Sequence, residues 1–432
     1  GKVANIAVPA SQDWQLITLP INQSPRGIVD LKFLSADGRE LTVDWVGFDL
    51  KPSLHPALLE STQLQPWQKG GMETGRYRNL FAELGYTEAQ IDAKLNELFD
   101  ALFTGPDRIY FEAPLNPPSR GKKGELSLPL EGGAGGGLIS DVKNHDARTE
   151  GMSYGMMIAV QLDRKDIFDR LWRWAKEYMQ MRDGKQKGYF AWSVRPDGSN
   201  PARGAAADGE LYFATSLIFA SNRWGNDTGI NYLKEAQYIL DTCLGKEGQP
   251  RLFDEKTGLI CFVPGAAYTD PSYHIPAFYE VWAKYAQGGR SDYWQEYARK
   301  SREYLHRSIH PITGLNEDYN NFDGTPLEGF HLGRGFRYDS WRVPMNIALD
   351  YSWSCADREW QTQYAHRLQN FLYSQGIDSY VDQYNTDGTA ITDTLSAGGF
   401  KELRHTPGLI ATAAAASLMC EHSKAREFVD RF

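Results

Sequence analysis

No stretch of this 432-residue chain approaches the roughly 18 consecutive apolar residues of a membrane-crossing helix, so no membrane span is expected. A surplus of positive charge is also missing. The net charge of −9 speaks against nucleic acid and anionic membranes as partners. Cysteine is scarce: Cys243, Cys261, Cys355 and Cys420 are widely separated, form no CxxC pair and match no zinc-site spacing, so they read as buried free thiols. No HExxH pair offers a metal site and no GxSxG elbow supports an esterase. The run Glu-Gly-Gly-Ala-Gly-Gly-Gly is not closed by Gly-Lys-Ser/Thr, so it reads as a loop within a Pro/Gly-rich connection over 112–137. Nothing in the sequence asks for a metal or a cofactor.

Aromatic residues, by contrast, are abundant at 13% of the chain, with 12 Trp and 23 Tyr. That surplus fits either a sugar-stacking surface or a large helical core rich in aromatics. Residues 1–52 have strand character. Trp14–Ile21, Ile28–Ser35 and Leu41–Leu50 are apolar or β-branched runs separated by turn-forming residues. From residue 76 onward the apolar period becomes helical. Thr87 and Gln90 are spaced for a capping box, and Ile91, Leu95, Leu98, Phe99, Leu102 and Phe103 follow at helical spacing. Similar faces recur at Ile167/Leu171/Trp174/Tyr178, Tyr232/Ala236/Ile239/Leu240/Cys243 and Trp360/Tyr364/Leu368/Phe371. Roughly eleven or twelve helices with few strands between them disfavour βαβ units, and no fixed-period repeat suggests a solenoid. The expected class is all-α, a helical barrel or toroid preceded by a short β-strand fragment.

Three acidic residues stand where a loop enters a helix. Glu150 lies in Arg-Thr-Glu-Gly-Met-Ser-Tyr-Gly-Met, with Gly151 and Gly155 leaving room beside it. Asp208 lies in Ala-Asp-Gly-Glu, and Asp339 in Tyr-Asp-Ser-Trp-Arg. In a helical toroid such positions converge at one face. Glycosidic cleavage needs two carboxyl groups, one protonated for the leaving oxygen and one ionised to attack or to activate water. A helix start lowers a carboxyl pKa, so Glu150 as an acid requires burial or a neighbouring carboxylate such as Asp208 to outweigh the dipole. Arg337 and Arg342 flank Asp339 and would favour its charged form. Local sequence leaves plainer readings open. Glu150 could complement a helix dipole, Asp208 could cap its helix, and Asp339 could pair structurally with Arg342. Trp192 is a sugar platform or a core residue, and His274 reads as a structural histidine or as a donor behind the site.

Taken together, Thr-Glu-Gly-Met-Ser-Tyr-Gly-Met (149–156), Ala-Asp-Gly-Glu (207–210), Tyr-Asp-Ser-Trp-Arg (338–342) and their order resemble glycoside hydrolase family 8 over residues 73–432. The resemblance implies an (α/α)6 barrel that inverts anomeric configuration. It implies Glu150 as general acid, Asp339 as general base and Asp208 as the acid holding the sugar at the cleavage point. It places Trp192 at a stacking position, with Tyr338 and Arg342 beside the base. The stretches 73–81, 270–280 and 403–409 resemble the reducing-end xylose-releasing exo-oligoxylanases of that family. In these, Tyr273 matches a tyrosine that helps place the attacking water, and His405 matches a loop histidine that blocks the far side of the cleft. The implied partner is a short xylo-oligosaccharide, with no cofactor, and the chain is expected to be a monomer. An endo-acting β-1,4-xylanase, or a glucan or chitosan hydrolase of the same family, is the alternative, and a non-catalytic sugar-binding protein a further one. Residues 1–52 resemble the C-terminal half of a family 6 carbohydrate-binding module, which points to an exported, polysaccharide-utilising protein.

Overall fold

The computed structural model describes residues 68–115, 135–227, 229–245, 248–288, 290–328, 334–391, 403–420 and 422–432. The strand-like fragment at 1–52, with its binding-module resemblance, lies outside them. The chain divides into compact units at Leu50/Lys51, and everything below concerns the second unit. It is helix-rich, and none of its described helices is long and apolar enough to cross a membrane.

Two kinds of helix alternate along this unit. In α6 (Ala207–Trp224) every residue from Ala207 to Ile218 is buried. Most of α4 (Thr149–Gln161) and α8 (Pro276–Tyr285) is buried too. In α9 (Ser291–Ser308), by contrast, the buried set is Trp294, Tyr297, Ala298, Ser301, Tyr304, Leu305 and Ser308, a single stripe of period near 3.6. A helix buried all round belongs inside a domain, whereas a striped one covers it. The contacts agree. α4 packs on α6, α6 on α8, α8 on α10 (Arg342–Trp353), and α10 on α12 (Pro407–Ala416). Each of these carries the helix that follows it as an outer partner: α5 (Lys165–Trp174), α7 (Tyr232–Cys243), α9, α11 (Arg358–Ser374) and α13 (Ala425–Arg431).

The segment before α4 links the two ends of this series. α1 (Gly71–Thr74) touches α10, and α2 (Leu80–Glu83) touches α13. Arg78 donates to the carbonyls of Ser417 and Leu418 at 3.0 Å, just beyond α12. α3 (Glu88–Phe103) begins with the anticipated capping box: Thr87 Oγ1 accepts from Gln90 N at 3.3 Å and Gln90 Oε1 from Thr87 N at 2.9 Å. It buries only Phe99 and Phe103, while Leu95, Leu98 and Leu102 stay exposed. The end of the glycine run departs from the expected loop. Gly135–Ile139 is a strand, β2, paired antiparallel with β1 (Tyr110–Pro114) and packed on α5 and α4. Glycine is needed there for closeness: a Cβ on Gly137 would stand 2.6 Å from the Tyr110 hydroxyl, and one on Gly136 2.7 Å from the Ala113 carbonyl. The remaining strands, β3 (Ala147–Arg148) and β4 (Ser193–Val194), form one short antiparallel pair at the start of α4.

Much of the aromatic surplus is spent on packing. Trp282, Trp294, Phe253, Tyr279 and Tyr297 form one buried cluster with ring centroids 4.8–6.4 Å apart. Buried charge ties the helices as well. Arg302 on α9 holds Asp350 on α10 through both carboxylate oxygens at 2.7 and 2.8 Å. Glu280 on α8 lies 2.9 Å from the same guanidinium, and Gln361 on α11 donates to Asp350 at 2.7 Å. Each carboxylate there has a partner, which such burial requires.

Candidate active site

The site is built at the N-terminal ends of the inner helices. Glu150 is in the first turn of α4 and Asp208 in that of α6. Asp270 caps a 3₁₀ turn, Pro271–Tyr273, that leads into α8. Asp339 sits in the 3₁₀ turn Tyr338–Trp341 that runs into α10. Arg342, the first residue of α10, joins them all. Its Nη1 donates to Glu150 Oε1 at 2.8 Å, Asp208 Oδ2 at 3.0 Å and the Tyr154 hydroxyl at 3.1 Å. Its Nη2 lies 3.2 Å from Asp339 Oδ1 and 3.9 Å from Asp270 Oδ2, and donates to Ser272 Oγ at 2.9 Å. The Tyr273 ring lies under the guanidinium, 5.4 Å from centroid to carbon.

Close helix approach makes this bridging possible. A Cβ on Gly209 would fall 2.3 Å from Thr149 Cβ, so glycine there lets the starts of α6 and α4 touch. Gly151 and Gly155 serve packing of the same kind, since Cβ atoms there would meet Ile139 of β2 at 3.1 and 2.9 Å. Gly209→Ala is expected to push the two starts apart. It should cost about 1–3 kcal/mol, as overpacking does, and lower kcat through the displaced Glu150. Urea unfolding and steady-state kinetics check this; an unchanged kcat in a folded variant refutes the spacing argument.

The electrostatics separate the carboxyls. Burial, and then the charge of Glu150, hold Asp208 well above the usual carboxylate range, with Arg342 opposing. A helix start is worth only about 0.3–1 kcal/mol to a charge, whereas full burial moves a pKa by up to about 3–5 units, so burial wins. Asp208 therefore keeps a proton beside Glu150. Of the two, Glu150 is the exposed one: its side chain is 35% accessible against 4% for Asp208.

On the other side Asp270, Asp318 and Asp339 bring carboxylate oxygens within 4.8 Å of one another. Burial and the neighbouring Asp339 push Asp270 up to about 7. Burial and Asp270 hold Asp318 well above its ordinary value. Asp339 is also raised, by burial first, against the pull of Arg342. Arg342 does favour the charged form, as expected, but burial outweighs it. Only Arg342 reaches it, while the Arg337 side chain turns to the Arg334 carbonyl and the Tyr338 ring. Asp339 is nonetheless the most accessible of the three and the nearest to Arg342, so the negative charge of the cluster is best placed there. Tyr338 holds φ at +49°, a left-handed value uncommon for a tyrosine, immediately before Asp339.

The other anticipated residues are placed less uniformly. Trp192 is 41% exposed, with the Arg148 guanidinium 5.2 Å from its ring, and its carbonyl accepts from Thr149 N at 3.0 Å. It is thus a surface ring at the residue before Glu150, not a core residue. His274 is buried, bonded to Thr269 Oγ1 and Ser301 Oγ at 3.0 Å, and burial pushes it down to about 3. It supports the Asp270–Tyr273 turn as a neutral structural residue. His405 Nδ1 donates to the Tyr380 carbonyl at 2.7 Å and its ring packs edge-on against Tyr380. Among the described contacts none joins it to Arg342 directly. A laced series of loops connects the two regions. Thr269 bridges Asn320, Asp318 N bonds the Gly335 carbonyl, and Phe336 bridges Tyr384. Asp382 then receives Arg404 N on its side chain and Trp341 Nε1 on its carbonyl.

Sequence reasoning assigned no role to Asp270, Asp318, Ser272, Tyr154 or Glu210. Glu210 is buried, is pushed up to about 8, and receives Phe190 N at 2.8 Å, which anchors the segment carrying Trp192. Its place in Ala-Asp-Gly-Glu was the available signal. Asp270 offered one in Asp-Pro-Ser, a turn-capping sequence. Asp318 offered none.

The chain matches known proteins along most of its length. The profile of glycosyl hydrolases family 8 matches residues 134–419. The chain is 40% identical over 373 residues to the reducing-end xylose-releasing exo-oligoxylanase Rex8A of Paenibacillus barcinonensis, covering 84% of this chain and 90% of that one. It is also 40% identical over 356 residues to the reducing end xylose-releasing exo-oligoxylanase of Halalkalibacterium halodurans, covering 81% and 84%. A solved mutant of Rex8A complexed with an α-L-arabinofuranosyl-xylotetraose superposes with a TM-score of 0.74 at 40% identity, over 84% of this chain and 90% of that one. The family profile and these relatives, matched along most of the chain, mark it as a member of glycosyl hydrolases family 8.

Proposed function

We propose that this glycosidase releases xylose from the reducing end of short β-1,4-xylo-oligosaccharides with inversion. The observation that carries the mechanism is the bridge at Arg342, which Glu150 and Asp339 reach from different nitrogens rather than pairing with each other. In this reading the buried Asp208 and Glu150 share one proton, which passes to Glu150, the exposed partner, and is presented from there to the glycosidic oxygen. Asp339 activates a water held between the two carboxyls, as inversion requires. Asp270 and Asp318, both shifted toward the neutral form by burial, leave most of that negative charge to Asp339. Asp208 grips the sugar at the cleavage point, Trp192 and Tyr338 face it, and Tyr273 helps to place the water.

The substrate class rests on the two exo-oligoxylanase relatives at 40% identity. The five inner/outer helix pairs, closed by the segment from α1 to β2, support an (α/α)6 barrel. His405, held by Tyr380 through Nδ1, is assigned to the blocked leaving-group side, where its Nε2 would bind the terminal hydroxyls.

The test is a time course on xylotriose with NMR of the first-formed anomer. Single-xylose release with inversion and little attack on polymeric xylan is expected; a retained anomer, or polymer cleaved as fast as the trimer, overturns the reading. Endo-action by a relative of the same family is the second outcome that this experiment separates. His405→Ala should open the leaving side, so that xylotetraose is also split directly into two xylobiose, seen as xylobiose formed at the earliest times without prior xylotriose. Losing one substrate hydrogen bond should cut kcat/KM for xylotriose about 10–100-fold. An unchanged product pattern removes His405 from this role.

A further inference from the structure

Away from the active site, α11 and the last turn of chain before α13 bring together His366, Cys420 and His422. One ring nitrogen from each histidine and the Cys420 sulfur all lie within 4.8 Å of one another. The two imidazoles meet edge to face at 5.0 Å between centroids. His422 is 3% exposed, and neither of its ring nitrogens has a hydrogen-bond partner among the described residues. A buried imidazole with both nitrogens orphaned costs on the order of 1–3 kcal/mol per group, and something must offset that. His366 is only half-buried, which leaves a route from solvent to the cluster.

We propose that His366, Cys420 and His422 form a binding site for a borderline-soft divalent cation, Zn²⁺, that clamps the C-terminal segment to α11. Two imidazoles and a thiolate are the donor set such an ion selects over harder cations. With bonds of about 2.0–2.3 Å, tetrahedral donors stand roughly 3.3–3.6 Å apart, so the three need close by at most about 1.5 Å. Water completes the fourth position. The thiol now donates to Gln369 Oε1 at 3.1 Å. On binding, that proton leaves to solvent, one per ion, as the sulfur becomes a thiolate. Sequence spacing did not suggest the site, because His366 lies more than fifty residues before the Cys-x-His pair.

The test uses the whole chain, stripped with chelator and titrated with Zn²⁺ alone by calorimetry, with Co²⁺ as a spectroscopic probe. One Zn²⁺ per chain, a rise in Tm of a few degrees and a thiolate-to-cobalt charge-transfer band are expected. His422→Gln and Cys420→Ser should each lose at least tenfold in affinity, and Cys420→Ser should also lose the band. If a variant fails to fold, the wild-type cobalt spectrum decides alone. No stoichiometric binding to the stripped wild type, a cobalt spectrum without thiolate, or binding undiminished in a folded variant overturns the proposal.

Discussion

Glu150→Gln is expected to lower kcat on xylotriose by about 10²–10⁴-fold, the range for loss of a general acid, with KM little changed. The amide keeps the shape of the side chain, and its oxygen can still accept from Arg342 Nη1, as Glu150 Oε1 does at 2.8 Å. What is lost is the proton for the leaving sugar. A substrate whose leaving group needs no protonation separates this role from a structural one. Xylobiosyl fluoride of the reactive anomer should be hydrolysed by Glu150→Gln at close to the wild-type rate. Equal loss on both substrates sinks the assignment.

Removing the bridge is expected to do more. In Arg342→Met, the carboxyl groups of Glu150, Asp208 and Asp339 lose the only cation that the described structure places against all three. Breaking one partner from a buried ionic group costs about 3–5 kcal/mol, and here three contacts go at once. The sign with pH follows from the charges. Without the guanidinium, which now opposes the upward shifts of Asp208 and Asp339, those two carboxyls are raised further in the folded state, so the folded chain binds more protons than the unfolded one. Stability then falls as pH rises above the ordinary carboxylate range, and the deficit against wild type should shrink toward about pH 4. Any residual activity should have its acidic limb shifted to higher pH, because Asp339 then ionises later. Arg342→Lys keeps the charge without the fork and should recover part of the stability but little of the rate. Urea unfolding at two pH values and a pH–rate profile measure both effects. A deficit that does not vary with pH would falsify the electrostatic account.

These expectations draw unevenly on sequence and structure. The outer helices were legible because a stripe such as Trp294, Tyr297, Ala298, Ser301 and Tyr304 repeats with the helical period. The Thr87–Gln90 cap was legible because its chemistry closes within four residues. The three motif acids were legible as helix-start residues with unusual neighbours, and the family resemblance that they carry was available before any fold. The aromatic surplus was ambiguous, because a tryptophan in a core and one on a cleft wall look alike in sequence. Trp192 and Trp282 went opposite ways. The end of the glycine run read as a loop because composition does not reveal that Tyr110 must lie against Gly137.

Local pattern was therefore enough to establish which segments coil, where they start, and which acids merit chemistry. Proximity is a different quantity, since no window of sequence records it. That Arg342 touches carboxylates from α4 and α6 as well as its own turn follows from helix starts meeting at one end, with Gly209 thin enough to let them. The ordering of proton affinities follows from burial, which an acid acquires only from its neighbours. Asp318 became part of the site, and His366 came to lie beside Cys420 and His422, for the same reason: packing brings distant residues together, and their chemistry begins with that distance.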